Sequence, residues 1–219
     1  MTQTISAPIT ARPAALPGQK ARWLLAGGAA AGPLFLGLGV VQGFTRDGFD
    51  FTRNALSQLS LGDPGWIQVT AFLVTGVLVI GVALGLSRVM RGGPGGTWAP
   101  LLVGVFGVSF LVSGVFKADP GAGFPVGAPE GRVTSMSAHG AVHMVAGSLG
   151  YLALCAAFLV LARYFAARSD RAEAVVCRLV PVGVLAGFAG SSVTVLAFTA
   201  GAGLGLAGLT AVTARLATR

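Results

Sequence analysis

Two histidines and one aspartate are the residues of this chain whose types and spacing could do chemistry together. His139 and His143 are its only histidines, and a four-residue spacing puts both on one face of a helix. Asp119 ends the preceding apolar run, so we expect it at the same membrane depth. Two imidazoles and a carboxylate could hold zinc with an open water position and activate that water for hydrolysis. Ser135, four residues before His139, could add a hydroxyl, so it joins these three as a catalytic candidate.

The same residues also have simpler interpretations. Polar side chains at helix ends often cap the helix or anchor it in the membrane interface, and Ser135 or Ser137 could serve the helix that carries the histidines. Binding of a lipid headgroup and a proton-linked role are further alternatives. Haem ligation is not expected, because two histidines on adjacent turns of one helix cannot occupy opposite axial positions of one iron.

A second polar group lies in the segment DGFDFTRNALSQLSLGDPGW, which starts at Asp47. Its apolar residues recur near one helical face, which predicts a short amphipathic helix on the membrane surface or over the mouth of a bundle. In the simpler interpretation Asp50 caps this helix and Asp47 or Asp50 pairs with Arg53. In the functional one the segment is a lid or a substrate-binding element. The ligand-binding candidates from both groups are Asp50, Arg53, Asn54, Ser57, Asp119 and His143.

The elements that position these residues are predicted to be transmembrane helices. The mean hydropathy is +0.79, and 10% of the residues are charged, against about 25% in soluble domains. The apolar runs lack the alternation of barrel strands, so the fold class is all-α, a polytopic transmembrane helical bundle. We expect five full-length spans and a short sixth, at about 23–43, 66–87, 98–116, 140–161, 179–199 and 201–214. The last run is below the usual length of a span, so a re-entrant or interfacial helix is an alternative.

The domain organisation follows from the same pattern. Residues 1–20, with three prolines, are predicted to be a disordered cytoplasmic tail, and residues 21–219 a single transmembrane domain. The first apolar run is expected to be a retained anchor rather than a removed signal peptide. Two cysteines in or beside apolar runs, Cys155 and Cys177, predict neither a disulfide framework nor a zinc knuckle.

Charge predicts the orientation. Placing the amino terminus in the cytoplasm assigns eleven of the fifteen Lys and Arg residues to that side, and leaves four against five acidic residues in the outer loops. The expected location is the inner (plasma) membrane. Basic residues in the joints between spans argue against a nucleic-acid partner. Spans nearly free of ionisable groups, with Gln42 and scattered Ser and Thr as the polar groups at depth, argue against an ion-coupled transporter.

Glycine is frequent, with 34 residues, and several pairs have the four-residue spacing that lets helices approach closely in lipid. These pairs predict tight packing within the monomer or, alternatively, a homo-oligomer seam. Gly203, Gly205 and Gly208 match the dinucleotide-binding pattern, but no strand precedes them, so that function is excluded.

Three strings in order resemble one bacterial membrane family: RNALSQLSLGDPGWIQVTAFLVTGVL, FKADPGAGFPVGAP and SAHGAVH. Together they resemble the domain of unknown function 998 (DUF998) over about residues 32–199. The resemblance implies a six-helix membrane protein, common in actinobacteria, with no settled activity. It places the family's motifs on Ser57 and Leu59, on Asp119 and Pro120, and on Gly140 and His143. Gln58 stands where many relatives carry aspartate, which argues against a metal ligand from the first loop.

Three functions are compatible with these observations. The leading hypothesis is an outward-facing polar pocket, with Ser57, Asp119, His139 and His143 at its mouth, that binds a membrane lipid or another hydrophobic small molecule. The second is a zinc-dependent membrane hydrolase, for which a looser similarity exists to alkaline ceramidase-type enzymes, although these combine three histidines. The third is a structural subunit of a membrane complex.

Overall fold

Six helices make up most of the computed structural model, which describes residues 18–131 and 135–218. They are α1 (Gln19–Thr45), α2 (Gly65–Val89), α3 (Trp98–Val115), α4 (Ala138–Ala167), α5 (Arg171–Gly190) and α6 (Val195–Thr218), and a short 3₁₀ helix, Leu56–Ser60, lies between α1 and α2. All six are long and apolar enough to cross a membrane, since 18 residues of α-helix span about 27 Å. The predicted all-α transmembrane bundle is therefore confirmed.

The helices form a closed ring in chain order. Each packs against the next, and α6 returns to pack against α1. The helices α4 and α6 also make contact across the ring where glycines of α6 let α4 approach: Gly205 lies against Leu154, and Gly208 against Phe158. Between this level and the end of the ring that carries residues 90–97, fully buried side chains such as Leu86 fill the centre of the ring.

The two ends of the ring differ in charge. One end carries the start of α1, the connections 90–97 and 168–170 and the end of α6; we call it the basic end, because nine described Lys and Arg residues lie there against Asp170 and Glu173. The other carries the connections 46–64, 116–137 and 191–194, and we call it the loop end. It holds three described basic residues against five acidic ones.

The outer surface of the ring is apolar. Large side chains such as Val77, Leu152 and Val182 are more than half exposed along the middle of the helices. Trp23 and Trp98 are exposed near the basic end, and Trp66 at the loop end, where interfacial tryptophans of membrane proteins are found. The chain is a multi-pass membrane protein.

The last two helices differ from the predicted spans. The fifth was expected at 179–199, but α5 ends at Gly190, and the sixth was expected to be short, but α6 has 24 residues. The predicted boundary was wrong because the turn between them, Ser191–Thr194, consists of small residues that hardly lower the hydropathy. Of the predicted tail, residues 1–17 lie outside the described part, and Gln19 and Lys20 already belong to α1.

The paired glycines pack inside the chain. A Cβ atom on Gly28 would overlap Val82, one on Gly32 would meet Thr210, and one on Gly187 would touch the backbone of Gly201. Gly39 and Gly43 face the 46–64 connection in the same way. These contacts account for the four-residue spacing through packing within one chain.

Candidate functional site

A cavity of about 540 Å³ occupies the half of the ring nearest the loop end. All six helices contribute to its wall, and the connections after α1 and α3 cover it. Its volume lies within the range of small-molecule binding pockets, roughly 300–1,000 Å³. The cavity is therefore large enough for a ligand rather than a few waters.

The deep part of the cavity is aromatic and apolar. Phe35, Phe72 and Phe110 meet there edge to face or tilted, with ring centroids 4.9–5.6 Å apart. Leu206 on α6 and Tyr151 on α4 line the same region. An apolar group of a ligand could contact these side chains.

The connection between α1 and α2 (46–64) and the connection between α3 and α4 (116–137) cover the cavity, and side-chain amides join them. We call these two connections the roof. Asn54, which is fully buried, donates from Nδ2 to the carbonyl oxygens of Gly121 and Ala122 at 3.3 Å each. Gln58 donates from Nε2 to the carbonyl oxygens of Asp119 and Gly121 at 3.3 and 3.2 Å. The sequence strings around Asn54 and Asp119 thus form one structural unit.

Arg46, the residue after α1, clamps the outer side of the roof. Its guanidinium donates to the carbonyl oxygens of Leu59 at 2.7 Å and Leu61 at 2.6 Å. It also lies over the ring of Phe124, 4.9 Å from the centroid. Partial burial lowers the pKa of Arg46 from its ordinary value, and the guanidinium remains a cation at physiological pH.

The start of the roof is tied to α6. The carbonyl oxygen of Thr52 accepts from the backbone N–H of Val195 at 2.9 Å. Asp50 stabilises this turn by accepting from the hydroxyl and the N–H of Thr52, and these hydrogen bonds lower the pKa of its carboxyl group. Asp50 therefore serves the turn and does not line the cavity.

The segment 50–60 differs from the predicted amphipathic helix. Only Leu56–Ser60 is helical, as a short 3₁₀ helix, and the ligand-binding candidate Asn54 is buried. The Arg53 guanidinium does not form the predicted ion pair with Asp47 or Asp50 but bonds the carboxylate and the carbonyl of Glu130 at 2.9 Å, and Asp50 interacts with Arg53 only through its charge. Helical periodicity could not reveal that the polar partners lie in the next connection.

Asp119 lies at the mouth of the cavity and caps α4. Its carboxylate accepts from the hydroxyl of Ser137 at 2.6 Å and from the Ser137 N–H at 2.9 Å, and the Ser137 hydroxyl accepts from Gly140 N–H. The absence of a side chain on Gly140 leaves room for the carboxylate. A negative charge is favourable there, because the amino end of a helix carries a partial positive charge.

His143 joins α4 to the end of α3. Its Nδ1 lies 2.8 Å from the carbonyl oxygen of Phe116 and 3.3 Å from that of Ser113. The side chain is 6% exposed, contacts the ring of Phe72 edge-on, and lines the cavity. The structure thus buries the second histidine of the predicted pair inside the ring.

The other two catalytic candidates, His139 and Ser135, do not line the cavity with His143. The ring of His139 packs against Phe116, 5.2 Å between centroids, and does not line the cavity. Ser135 is exposed in the loop before α4. Among residues 18–131 and 135–218, no group of three or more His, Cys, Asp or Glu residues could hold a metal ion.

Several polar atoms of the cavity wall lack a hydrogen-bond partner among the described residues. The hydroxyl of Thr199 is buried and unpaired, and Ser57 and Ser113 line the cavity with no hydrogen bond from their hydroxyls. Nε2 of His143 also has no hydrogen bond to a described residue, but unlike the hydroxyl of Thr199 it is not a fully buried atom. Thr199 is the buried one of these atoms, and because polar groups in a cavity wall normally find partners, all of them indicate where a polar ligand group could bind.

A smaller groove of about 130 Å³ lies between α4 and α5. Ser148, Tyr151 and Phe188 line both this groove and the main cavity, and Leu152 and Leu185 extend it along exposed, apolar helix faces. The cavity thus adjoins a groove on the outer surface of the ring, halfway along the helices.

Four of the six predicted ligand-binding residues line the cavity: Arg53, Ser57, Asp119 and His143. Their binding role stays a prediction, whereas Asp50 and Asn54 have positions that serve the roof. Sequence reasoning missed Ser113, Tyr151 and Thr199 as cavity residues, because isolated polar residues in apolar spans carry no positional signal. Gln58 was noticed only as a departure from a family pattern, and it is a central roof residue.

Comparison with known proteins identifies the family of the chain. Residues 29–217 match the profile of the family described as "Protein of unknown function (DUF998)". No curated protein and no solved structure gives a significant match.

Proposed function

The chain belongs to the DUF998 family of proteins of unknown function, and we propose that it binds an amphipathic small molecule of the membrane in the cavity at the loop end. The observation that carries this proposal is the cavity itself, about 540 Å³ inside a closed ring of membrane-spanning helices. Side chains fill the centre of the ring toward the basic end, and they could do so along its whole length if the protein had no ligand to bind.

The distribution of polarity supports an amphipathic ligand. The deep wall is lined by phenylalanines, and the charged and amide side chains, Arg53, Gln58 and Asp119, lie at the mouth. Binding pockets of this kind combine an apolar lining with a few placed polar groups. A ligand with one apolar and one polar part would bind with its polar part under the roof.

The groove between α4 and α5 supports access from the bilayer. It lies where the flanking residues Leu152 and Leu185 are about half exposed on the lipid-facing surface. A hydrophobic molecule could pass from lipid past Ser148 into the cavity without crossing water. The ligand is then a component of the membrane or a molecule that partitions into it.

The side of the membrane on which the mouth opens follows from charge. The basic end is expected to face the cytoplasm, because cytoplasmic segments of membrane proteins carry an excess of Lys and Arg. We place the amino terminus in the cytoplasm of a cell with an inner (plasma) membrane, and the roof on the opposite side. The cavity would then take its ligand from the outer leaflet.

The proposal can be tested with a variant that fills the cavity. Gly147 lines the cavity, and a Cβ atom there would meet no atom within 4 Å, so Gly147→Leu should fold and occupy ligand space. Gly37 is a matched control, because it has the same open surroundings but is exposed on α1 and does not line the cavity. Both variants and the wild type would be purified in a mild detergent.

Two measurements decide the outcome. Native mass spectrometry would detect co-purified lipids, and photolabelling with diazirine-bearing lipid analogues, followed by peptide mapping, would locate them. We expect labelling of cavity peptides in the wild type and in Gly37→Leu, and at least a tenfold loss in Gly147→Leu. Equal labelling of the three folded proteins would contradict the proposal.

A further inference from the structure

We propose that the polar part of the ligand is uncharged and carries a hydroxyl group, which donates a hydrogen bond to Nε2 of His143 beneath the roof. This inference rests on the proposed function and names the chemical class of its ligand. A monoacylglycerol and a long-chain alcohol are simple examples of that class.

The protonation of His143 follows from its partners. Nδ1 lies within hydrogen-bond distance of two carbonyl oxygens, of Phe116 and Ser113, and carbonyl oxygens only accept. Nδ1 must therefore carry the proton. In a neutral imidazole the other nitrogen, Nε2, is then an acceptor with a free lone pair.

The position of this lone pair indicates that a ligand supplies its hydrogen-bond donor. His143 is 94% buried, lines the cavity, and has no hydrogen bond to Nε2 among the described residues. Nε2 is not among the fully buried unpaired atoms, so it remains accessible, and a donor on the ligand could form the hydrogen bond that the protein leaves open. The hydroxyls of Ser113 and Ser57, which also line the cavity, can both donate and accept, and they suit a second ligand hydroxyl.

The charges at the mouth argue for an uncharged ligand. Arg53 is paired with Glu130, and Asp119 with the amino end of α4 through Ser137. Both groups are engaged within the protein. A phosphate or carboxylate on the ligand would have to share the Arg53 guanidinium with the Glu130 carboxylate and would lie near the Asp119 carboxylate, whereas a hydroxyl requires neither.

The test compares three probes with one acyl chain. They are a diazirine-bearing monoacylglycerol, its di-O-methyl ether, which cannot donate, and the lysophosphatidate, which is charged. Apparent Kd values would be measured by photolabelling in detergent micelles. We expect the monoacylglycerol to bind at least about fivefold more tightly than the ether, since one hydrogen bond contributes roughly 1 kcal/mol, and more tightly than the lysophosphatidate.

Three variants locate the effect. His143→Phe removes the acceptor but keeps a ring, Ser113→Ala removes only a neighbouring hydroxyl, and His143→Gln can restore both a donor for Phe116 and an acceptor for the ligand. We expect the preference over the ether to fall most in His143→Phe, to fall less in Ser113→Ala, and to return in part in His143→Gln. If His143→Phe does not fold, the other two variants carry the test.

The outcomes separate this inference from the proposed function. Equal binding of the monoacylglycerol and the ether, unchanged preference in the folded His143 variants, or tighter binding of the lysophosphatidate would overturn the inference alone. Failure of every probe to label the wild-type cavity, or labelling that Gly147→Leu does not reduce, would overturn both.

Discussion

The carboxylate of Asp119 occupies the space that a side chain on Gly140 would need. The same carboxylate accepts hydrogen bonds from the hydroxyl and the N–H of Ser137. These bonds hold the start of the connection between α3 and α4 against the first turn of α4. One turn further, His143 reaches back to the carbonyl of Phe116 at the end of α3. In the first contact a residue after α3 bonds the start of α4, and in the second a residue of α4 bonds the end of α3. Together they hold α3 against α4 where the cavity opens.

Gly140→Ala is expected to destabilise the protein by about 1–3 kcal/mol, because the added methyl group overlaps Asp119 and forces the cap apart. The control is Gly147→Ala on the same helix, where the methyl meets no atom within 4 Å and could stabilise the helix by up to about 1 kcal/mol. Thermal unfolding in detergent would compare them. In the double variant with Asp119→Ala, the two losses should be less than additive, and full additivity would show that the two residues do not interact.

Asn54→Asp is expected to loosen the roof. Aspartate has nearly the same shape, but its carboxylate cannot donate to the carbonyls of Gly121 and Ala122, and unpaired buried groups cost about 1–3 kcal/mol. Amide hydrogen exchange should become faster in residues 119–131. Asp63→Asn, an exposed change in the same connection, is the control, and similar exchange in both variants would argue against a joining role for Asn54.

The transmembrane helices were predictable because an apolar run of about 20 residues has few alternatives in a membrane. Gln42, noted with scattered Ser and Thr as a polar group at depth, donates to Gln68 at 2.8 Å, and both amides are buried between α1 and α2. The turn after Gly190 was missed, because hydropathy does not distinguish a short turn of small residues from a continuing helix.

The candidate site was predicted in part. Asp119 and His143 were singled out because charged and titratable groups stand out in an apolar sequence, and both line the cavity. Their spacing suggested a shared ligand, but both side chains already form hydrogen bonds with backbone groups. Asp119 accepts from the N–H of Ser137, and His143 lies within hydrogen-bond distance of two carbonyl oxygens. Helix ends always present unpaired N–H and C=O groups, and sequence patterns do not show which side chains will satisfy them.

The orientation predicts a pattern of cysteine labelling. The native Cys155 and Cys177 are buried, so a single added cysteine reports its own position. Asp63→Cys, at the loop end, should react with a membrane-impermeant maleimide in intact cells, and Arg91→Cys, at the basic end, only after lysis. Both positions are exposed. The reverse pattern would place the roof in the cytoplasm.

Removal of metal is expected to leave stability unchanged. Asp119 is bound to Ser137, and His139 packs against Phe116 outside the cavity, so the three candidates do not form a metal-binding group among the described residues. The melting temperature should be the same with a chelator and with added zinc. Stoichiometric zinc in protein purified without chelator, lost in His143→Phe and Asp119→Ala but retained in Asp63→Asn, would favour the hydrolase instead.

Access through the groove between α4 and α5 predicts that the roof need not open for loading. Arg53→Cys and Glu130→Cys replace the two partners of an ion pair, and a short bis-thiosulfonate reagent could join them and lock the roof. Transfer of the monoacylglycerol probe from vesicles into the cavity of the locked protein should keep its rate within about twofold. The unreacted double variant is the control for loss of the ion pair.

The complementary variant blocks the groove. Ser148 lines both the groove and the cavity, so a bulky side chain there should slow loading from vesicles at least about tenfold. Leu149, the next residue of α4, is 58% exposed and lines neither, so Leu149→Trp controls for added bulk at the lipid surface. If locking the roof stops loading while Ser148→Trp leaves it unchanged, the ligand enters through the mouth, and the groove has no part in its path.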